Sequence, residues 1–150
     1  MRILIQRVKE ASVSVENNCV GKINNGILIF LGIHQQDNRA DIEWICHKII
    51  NLRIFSDEAG KMNKSIMDIN GDVLIVSQFT LFASTKKGNR PSFIDSAPPA
   101  MAEKMYEDFI TLIETLTNKP CAKGIFGADM QVSLINDGPV TIWIDSKNKE

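Results

Sequence analysis

Few side chains in this 150-residue chain could act on a substrate. The hydroxyls of Ser77 and Thr80 flank Gln78 and Phe79, and the only histidines are His34 and His47. A hydroxyl becomes a nucleophile only beside a base that takes its proton. His47 falls inside a helical apolar pattern, where a packing or surface role is ordinary, and His34 follows Gly32-Ile33 at a strand end. The chain has no Gly-x-Ser-x-Gly elbow, so a Ser-His-Asp hydrolase has little support. Strand-end hydroxyls such as Ser77 and Thr80 also commonly bond nearby backbone. Cys19, Cys46 and Cys121 are widely spaced, and no His-Glu-x-x-His or paired-cysteine spacing offers zinc a ligand set. Asp68, Asp72, Asp129 and Asp137 sit at turns or strand ends, where solvated carboxylates are usual. With no P-loop or Gly-x-Gly-x-x-Gly either, the sequence asks for no metal and no cofactor.

The elements around these residues follow from hydrophobic periodicity. Val73 to Val76 is an apolar strand that runs into Ser77. Met130 to Ile135 and Val140 to Ile144 read as two further strands, separated by Gly138-Pro139. Proline cannot donate to a ladder, so that dipeptide must be a turn, a bulge or an exposed tip. Ile3 to Val8, Ser12 to Val15, Val20 to Ile23 and Ile27 to Leu31 precede them as strands, with a turn at Asn17-Asn18 and another at Asn24-Asn25-Gly26. Ile27 to Leu31 is a continuous apolar run, suited to burial on both faces. Asp37 or Asn38 caps a helix with Ile42, Ile45, Cys46, Ile49 and Leu52 on one stripe. A second helix starts near Pro98-Pro99 and buries Met101, Met105, Phe109, Leu112, Ile113 and Leu116. A short strand is expected at Ala122 to Phe126. The order predicts one α+β domain over residues 1–150: a curled, mostly antiparallel, barrel-like sheet with two main helices.

Composition narrows the class. A hydrophobic content of 44% gives one domain a real core, and a net charge of −1 argues against a broad phosphate-tracking surface. Gripping only an RNA end would need no such surface. Three unpaired-looking cysteines, no signal-peptide core and no membrane span point to a soluble, cytoplasmic protein. Lys86-Lys87-Gly88-Asn89-Arg90 is the one local cluster of positive charge, and by itself reads as a solvated loop.

Ser77-Gln78-Phe79-Thr80 and Asn136-Asp137-Gly138-Pro139-Val140-Thr141, taken together, resemble the two signature motifs of the D-aminoacyl-tRNA deacylase family (D-tyrosyl-tRNA(Tyr) deacylases). Gly88-Asn89-Arg90-Pro91-Ser92-Phe93 resembles a further family segment, and the likeness covers essentially the whole chain. The resemblance implies hydrolysis of the ester linking a D-amino acid to tRNA, releasing the free amino acid, with glycyl-tRNA as a second substrate. It implies a homodimer whose site lies at the subunit interface, where one subunit's Gly138-Pro139, with a cis peptide bond, enters the partner's pocket and excludes L-amino acids. Ser77, Gln78, Phe79 and Thr80 would be the catalytic segment, Phe126 the wall for the terminal adenosine, Ala102 a pocket-lining residue, and Arg7 the support of the Gly-Pro turn. The basic loop beside such a site would be placed to meet RNA phosphates.

Ester hydrolysis passes through an oxyanion, which backbone N–H groups at Phe79-Thr80 can stabilise without an ionisable side chain. The resemblance offers Thr80 as nucleophile or, alternatively, the RNA 2′-hydroxyl orienting a water. The second suits a sequence with no base for Thr80. A different class of reading is a non-catalytic module binding an RNA 3′ end or a small ligand, and a third is a generic esterase. A homodimer is expected to draw its interface from the apolar strands Ile27 to Leu31 and Val73 to Val76.

Overall fold

A computed structural model describes residues 1–149 and contains eight strands and two α-helices. The strands are β1 (Arg2–Val15), β2 (Asn18–Ile23), β3 (Gly26–Gly32), β4 (Phe55–Ser56), β5 (Met62–Lys64), β6 (Asp72–Ser77), β7 (Ala122–Lys123) and β8 (Gln131–Asp145). The helices are α1 (Arg39–Asn51) and α2 (Pro99–Thr117), with a short 3-10 turn at Phe79–Phe82. The main sheet runs β2-β1-β3-β6-β7, and β8 pairs with β1 to bring the sheet close to a barrel. Most pairings are antiparallel, as expected, but β3–β6 and β6–β7 are parallel. β4 and β5 form a separate small hairpin.

Two expectations merge into longer strands. Ile3 to Val8 and Ser12 to Val15 are both parts of β1, a single strand of 14 residues. Its first half pairs with β3 and its second half with β2, while β8 lies along both. The segments on either side of Gly138-Pro139 likewise belong to one strand, β8, so the chain does not reverse there. Instead the β1–β8 register shifts between Gln6 and Val8 and again between Val8 and Glu10. That is a bulge, the remaining way for a sheet to accept a residue without an N–H. Of the expected strand from Ala122 to Phe126, only Ala122–Lys123 pairs.

The helices start as their caps dictate. Asn38 caps α1 in a capping box: its Oδ1 accepts from Ala40 N–H at 2.9 Å, and Asp41 Oδ2 accepts from Asn38 N–H at 2.9 Å. α2 begins with proline in its first turn and ends at Asn118 in the left-handed conformation, with φ of 51°. The buried faces of both helices (Ile45, Cys46 and Ile49; Tyr106, Phe109 and Ile113) pack on Ile3, Ile5, Ile29, Leu31 and Ile75 of the sheet. The opposite face of the sheet buries Val8, Val13, Leu28, Leu74 and Val76 against Met130, Val132 and Leu134.

This double coverage overturns one expectation. Ile27, Leu28, Ile29 and Leu31 of β3 and Val73 to Val76 of β6 are buried inside the subunit and Phe30 is partly buried, so these strands offer little apolar surface to a second copy. The large apolar side chains left exposed lie elsewhere, at Phe79, Ile94, Ile135 and Trp143 among others.

Candidate active site

β6 is held straight by its parallel ladder with β3 up to the pair Leu31–Ser77. One more bond, from Gln78 N–H to Leu31 O at 2.8 Å, ends the ladder, and the chain then coils into the 3-10 turn. Leu81 N–H donates to Gln78 O at 3.3 Å and Ala83 N–H to Thr80 O at 3.0 Å. Phe79 N–H and Thr80 N–H precede the first of these turn bonds, so the turn itself supplies them with no acceptor. Ser96 Oγ donates to Phe79 O at 3.1 Å and ties the turn to the loop before α2.

Beside this turn lies a cleft of about 540 Å³. Ser77, Gln78 and Phe79 form one wall, Ala102 of α2 another, and Phe126 with Asp129 a third. Phe126 is steadied from behind by the Tyr106 ring, 5.9 Å away between centroids. Tyr106 is buried, and its hydroxyl donates to Ile75 O at 2.8 Å, the same carbonyl that accepts from Gly124 N–H at 3.0 Å. Burial pushes the Tyr106 phenol well above its ordinary range, so it stays a neutral donor. One carbonyl of β6 therefore anchors both Tyr106 of α2 and the loop that carries Phe126.

Thr80 is exposed and lies outside the residues that line the cleft. Its hydroxyl accepts from the Gln78 side-chain amide, which is not a base. His34 packs on Phe82, 5.2 Å between rings, and its Nδ1 accepts from Gln36 N–H at 3.0 Å. His47 is exposed on α1. Neither histidine meets Ser77 or Thr80. Among the described residues no group of His, Cys, Asp and Glu side chains is arranged to hold a metal ion.

Gly138 and Pro139 are exposed on the bulge, joined by a cis peptide, and they do not line their own chain's cleft. Two side chains shape this bulge. Arg7, 9% exposed, donates from Nε to Asp137 O at 3.0 Å and from Nη1 to Ile54 O at 2.5 Å, and its Nε is 3.2 Å from the Asp137 carboxylate. Asn136 closes the other side: its Oδ1 accepts from Val140 N–H at 3.0 Å, and its Nδ2 donates to Val140 O at 3.1 Å. The structure thus gathers Ser77, Gln78, Phe79, Ala102 and Phe126 at one cleft, and Arg7, Gly138 and Pro139 at a separate place.

Sequence reasoning missed Asn136, Tyr106 and Ser96 as positioning groups. Asn136 carried a signal, since an Asn four residues before a valine across Gly-Pro can bridge the bulge with its own amide. Tyr106 and Ser96 carried none.

A model of the D-Tyr-tRNA(Tyr) deacylase family matches residues 4–145. A D-aminoacyl-tRNA deacylase from Cytophaga hutchinsonii is 59% identical over all of both chains, and one from Thermosipho africanus is 57% identical over 98% of each. Among solved structures, a c-Myc DNA unwinding element binding protein superposes with a TM-score of 0.91 at 41% identity, covering 97% of this chain and 98% of that one. A probable eukaryotic D-amino acid tRNA deacylase shares the fold, with a TM-score of 0.80 at 16% identity over 95% and 97% of the two chains.

Proposed function

The chain belongs to the D-Tyr-tRNA(Tyr) deacylase family, and on that footing we propose the particulars of its D-aminoacyl-tRNA hydrolysis. The observation that carries the reading is the cleft itself. The strand-end segment Ser77-Gln78-Phe79 opens into a mostly apolar cleft with Phe126 and Ala102, large enough for a nucleoside and an amino acid. Among the described residues no His, Asp or Glu side chain hydrogen-bonds the hydroxyl of Ser77 or Thr80. Phe126 stacks on the terminal adenine, and the ester carbonyl lies against the Phe79-Thr80 turn. As water attacks, the carbonyl oxygen gains charge, and the free N–H groups of that turn receive it. The RNA 2′-hydroxyl orients the water, because neither Ser77 nor Thr80 is hydrogen-bonded to a base among the described residues.

Selection of D over L falls to Gly138-Pro139 of a second copy. The dipeptide is exposed and lies outside its own cleft, which suits delivery to a partner. A two-fold dimer lets each subunit give and receive the same bulge. Backbone crowding on the L side needs no knowledge of the side chain, so the site accepts many D-amino acids and also glycine. Arg7 and Asn136 keep the bulge in shape from within its own subunit.

The test is release of amino acid from D-tyrosyl-, L-tyrosyl- and glycyl-tRNA, with binding of uncharged tRNA measured alongside. Release from the D and glycyl forms with the L form spared is the expected result. Equal release from D and L forms would make the protein a generic esterase. Binding without any release would make it an RNA-end binding module.

A further inference from the structure

The deacylase reading uses the cleft but not the surface beside it. Residues 84–92 leave the fold as an arm whose base is closed by Ser84 and Ser92. Ser84 N–H donates to Ser92 O at 2.8 Å and Ser92 N–H to Ser84 O at 2.9 Å. Gly88 reverses the chain at the tip with φ of +74°, a left-handed conformation open to glycine. Everything from Thr85 to Ser92 is exposed.

The arm is rooted at the cleft. Phe93, just past its base, packs edge-on against Phe79 with centroids 5.0 Å apart. It also carries Lys86, Lys87 and Arg90. Lys104, Lys119 and Lys123 each face a carboxylate, but among the described residues none of the arm's three cations is in an ion pair. Holding three unpaired like charges close together on one arm brings mutual repulsion, which a polyanion relieves. On a chain of net charge −1 the positive field is local to this one rim of the cleft.

We propose that this arm binds the sugar–phosphate backbone of the single-stranded RNA end whose terminal ester lies in the cleft; the inference rests on the deacylase reading. The four residue steps from Ser84 to Gly88 reach at most about 14 Å. At about 3.4 Å of rise per nucleotide in a stacked strand, that spans roughly four nucleotides. The arm therefore meets the unpaired 3′ end and not the body of the RNA. Phosphate contacts of this kind position a strand without reading its sequence, which suits an enzyme that must accept many tRNAs.

Labelled uncharged tRNA, titrated by fluorescence anisotropy in roughly 50 to 300 mM salt, tests the arm without relying on activity. Replacing all three cations (K86Q/K87Q/R90Q) removes up to three phosphate contacts. The slope of log affinity against log salt should become shallower by about 2, at about 0.7 per phosphate on a single strand, and low-salt affinity should fall roughly tenfold or more. A charge-keeping variant, K86R/K87R/R90K, should restore both. Unchanged affinity and slope in the glutamine variant would overturn the proposal, and so would failure of the charge-keeping variant to recover. The D-tyrosyl ester of adenosine, which has no chain of phosphates, should be hydrolysed equally by all three proteins. If the unmodified protein fails on that ester, the deacylase reading falls, while the binding titration still decides the arm.

Discussion

Arg7 Nε donates to the backbone carbonyl of Asp137 at 3.0 Å, so a side chain from β1 fixes the residue immediately before Gly138. The same guanidinium holds Ile54 O, making one buried group the link between the bulge and the segment that follows α1. Its planar fork spans both acceptors, which a lysine cannot do.

Arg7→Ala should therefore lower stability by about 2–3 kcal/mol, since it leaves backbone acceptors buried without a donor. Arg7→Lys should recover part of that stability but leave Asp137 loosely held. In both variants discrimination between D- and L-tyrosyl-tRNA should fall further than the D rate itself. Thermal melting and paired single-turnover rates check the two halves separately. Retention of full discrimination in Arg7→Ala would detach Arg7 from the chiral function.

Gly138→Ala addresses the bulge directly. Gly138 has φ of +124°, where an L side chain is strained, and an added Cβ would lie 2.6 Å from Arg7 Nη2 and 3.0 Å from Val140 Cγ2. Arg7 must shift to admit it, so the variant should lose stability by about 1–3 kcal/mol and lose selectivity with it. Normal stability and selectivity would show that the bulge tolerates reshaping.

Much of the frame that holds these residues was legible in the sequence. Asn38 and its Asp41 partner announce α1, and proline with the Met105–Phe109–Ile113 stripe announces α2, because caps and a 3.6-residue period act locally. The end of β6 at Ser77 was equally readable, as apolar residues give way to polar ones. What could not be read depends on distant partners. The 3-10 turn at Phe79–Phe82 is too short to have a period. The continuity of β8 through Gly138-Pro139 depends on β1 supplying a ladder on both sides of the bulge. The burial of β3 from both faces was expected of its apolar run, yet that run and Val73 to Val76 misled when taken as an interface. The roles proposed for Phe126 and Arg7 rest on the family resemblance, since nothing local distinguishes a cleft wall from a loop aromatic.

Thr80→Ala and Ser77→Ala test the chemistry. Without a base at either hydroxyl, each variant should keep its single-turnover rate on D-tyrosyl-tRNA within about tenfold. An obligatory nucleophile would lose several powers of ten. Collapse of the rate in Thr80→Ala, with fold and tRNA binding intact, would replace the RNA-assisted mechanism with covalent catalysis.

Tyr106→Phe removes the bond to Ile75 O while keeping the ring against Phe126. The carbonyl keeps its second donor, Gly124 N–H, so the cost should be only about 0.5–1.5 kcal/mol in thermal unfolding. A rise in KM for D-tyrosyl-tRNA with kcat nearly unchanged would mark Tyr106 as a positioning group for the adenosine wall. Unchanged kinetics would confine it to stability.

Asp72, at the start of β6, is one of several carboxylates that make stability sensitive to acid. The Lys119 ammonium holds its carboxyl below the usual carboxylate range, helped by Asn24 N–H. A depressed folded-state pKa contributes stability that is fully present above the unfolded value near 3.9 and is lost as pH falls below it. The pair is partly exposed, so the effect is about 1 kcal/mol or less. Asp72→Asn should lower stability at pH 7, and the gap to the parent protein should be smaller near pH 2–3, as read by denaturant midpoints. An equal gap at both pH values would remove Asp72 from the account.

The proposed cleft chemistry hydrolyses the aminoacyl ester of the D form and spares the L form. Its most direct test is the pair of single-turnover rate constants for D-tyrosyl-tRNA and L-tyrosyl-tRNA, each corrected for spontaneous hydrolysis. Rapid release from the D form is expected, with the L form indistinguishable from the uncatalysed background. Comparable release from both would contradict it.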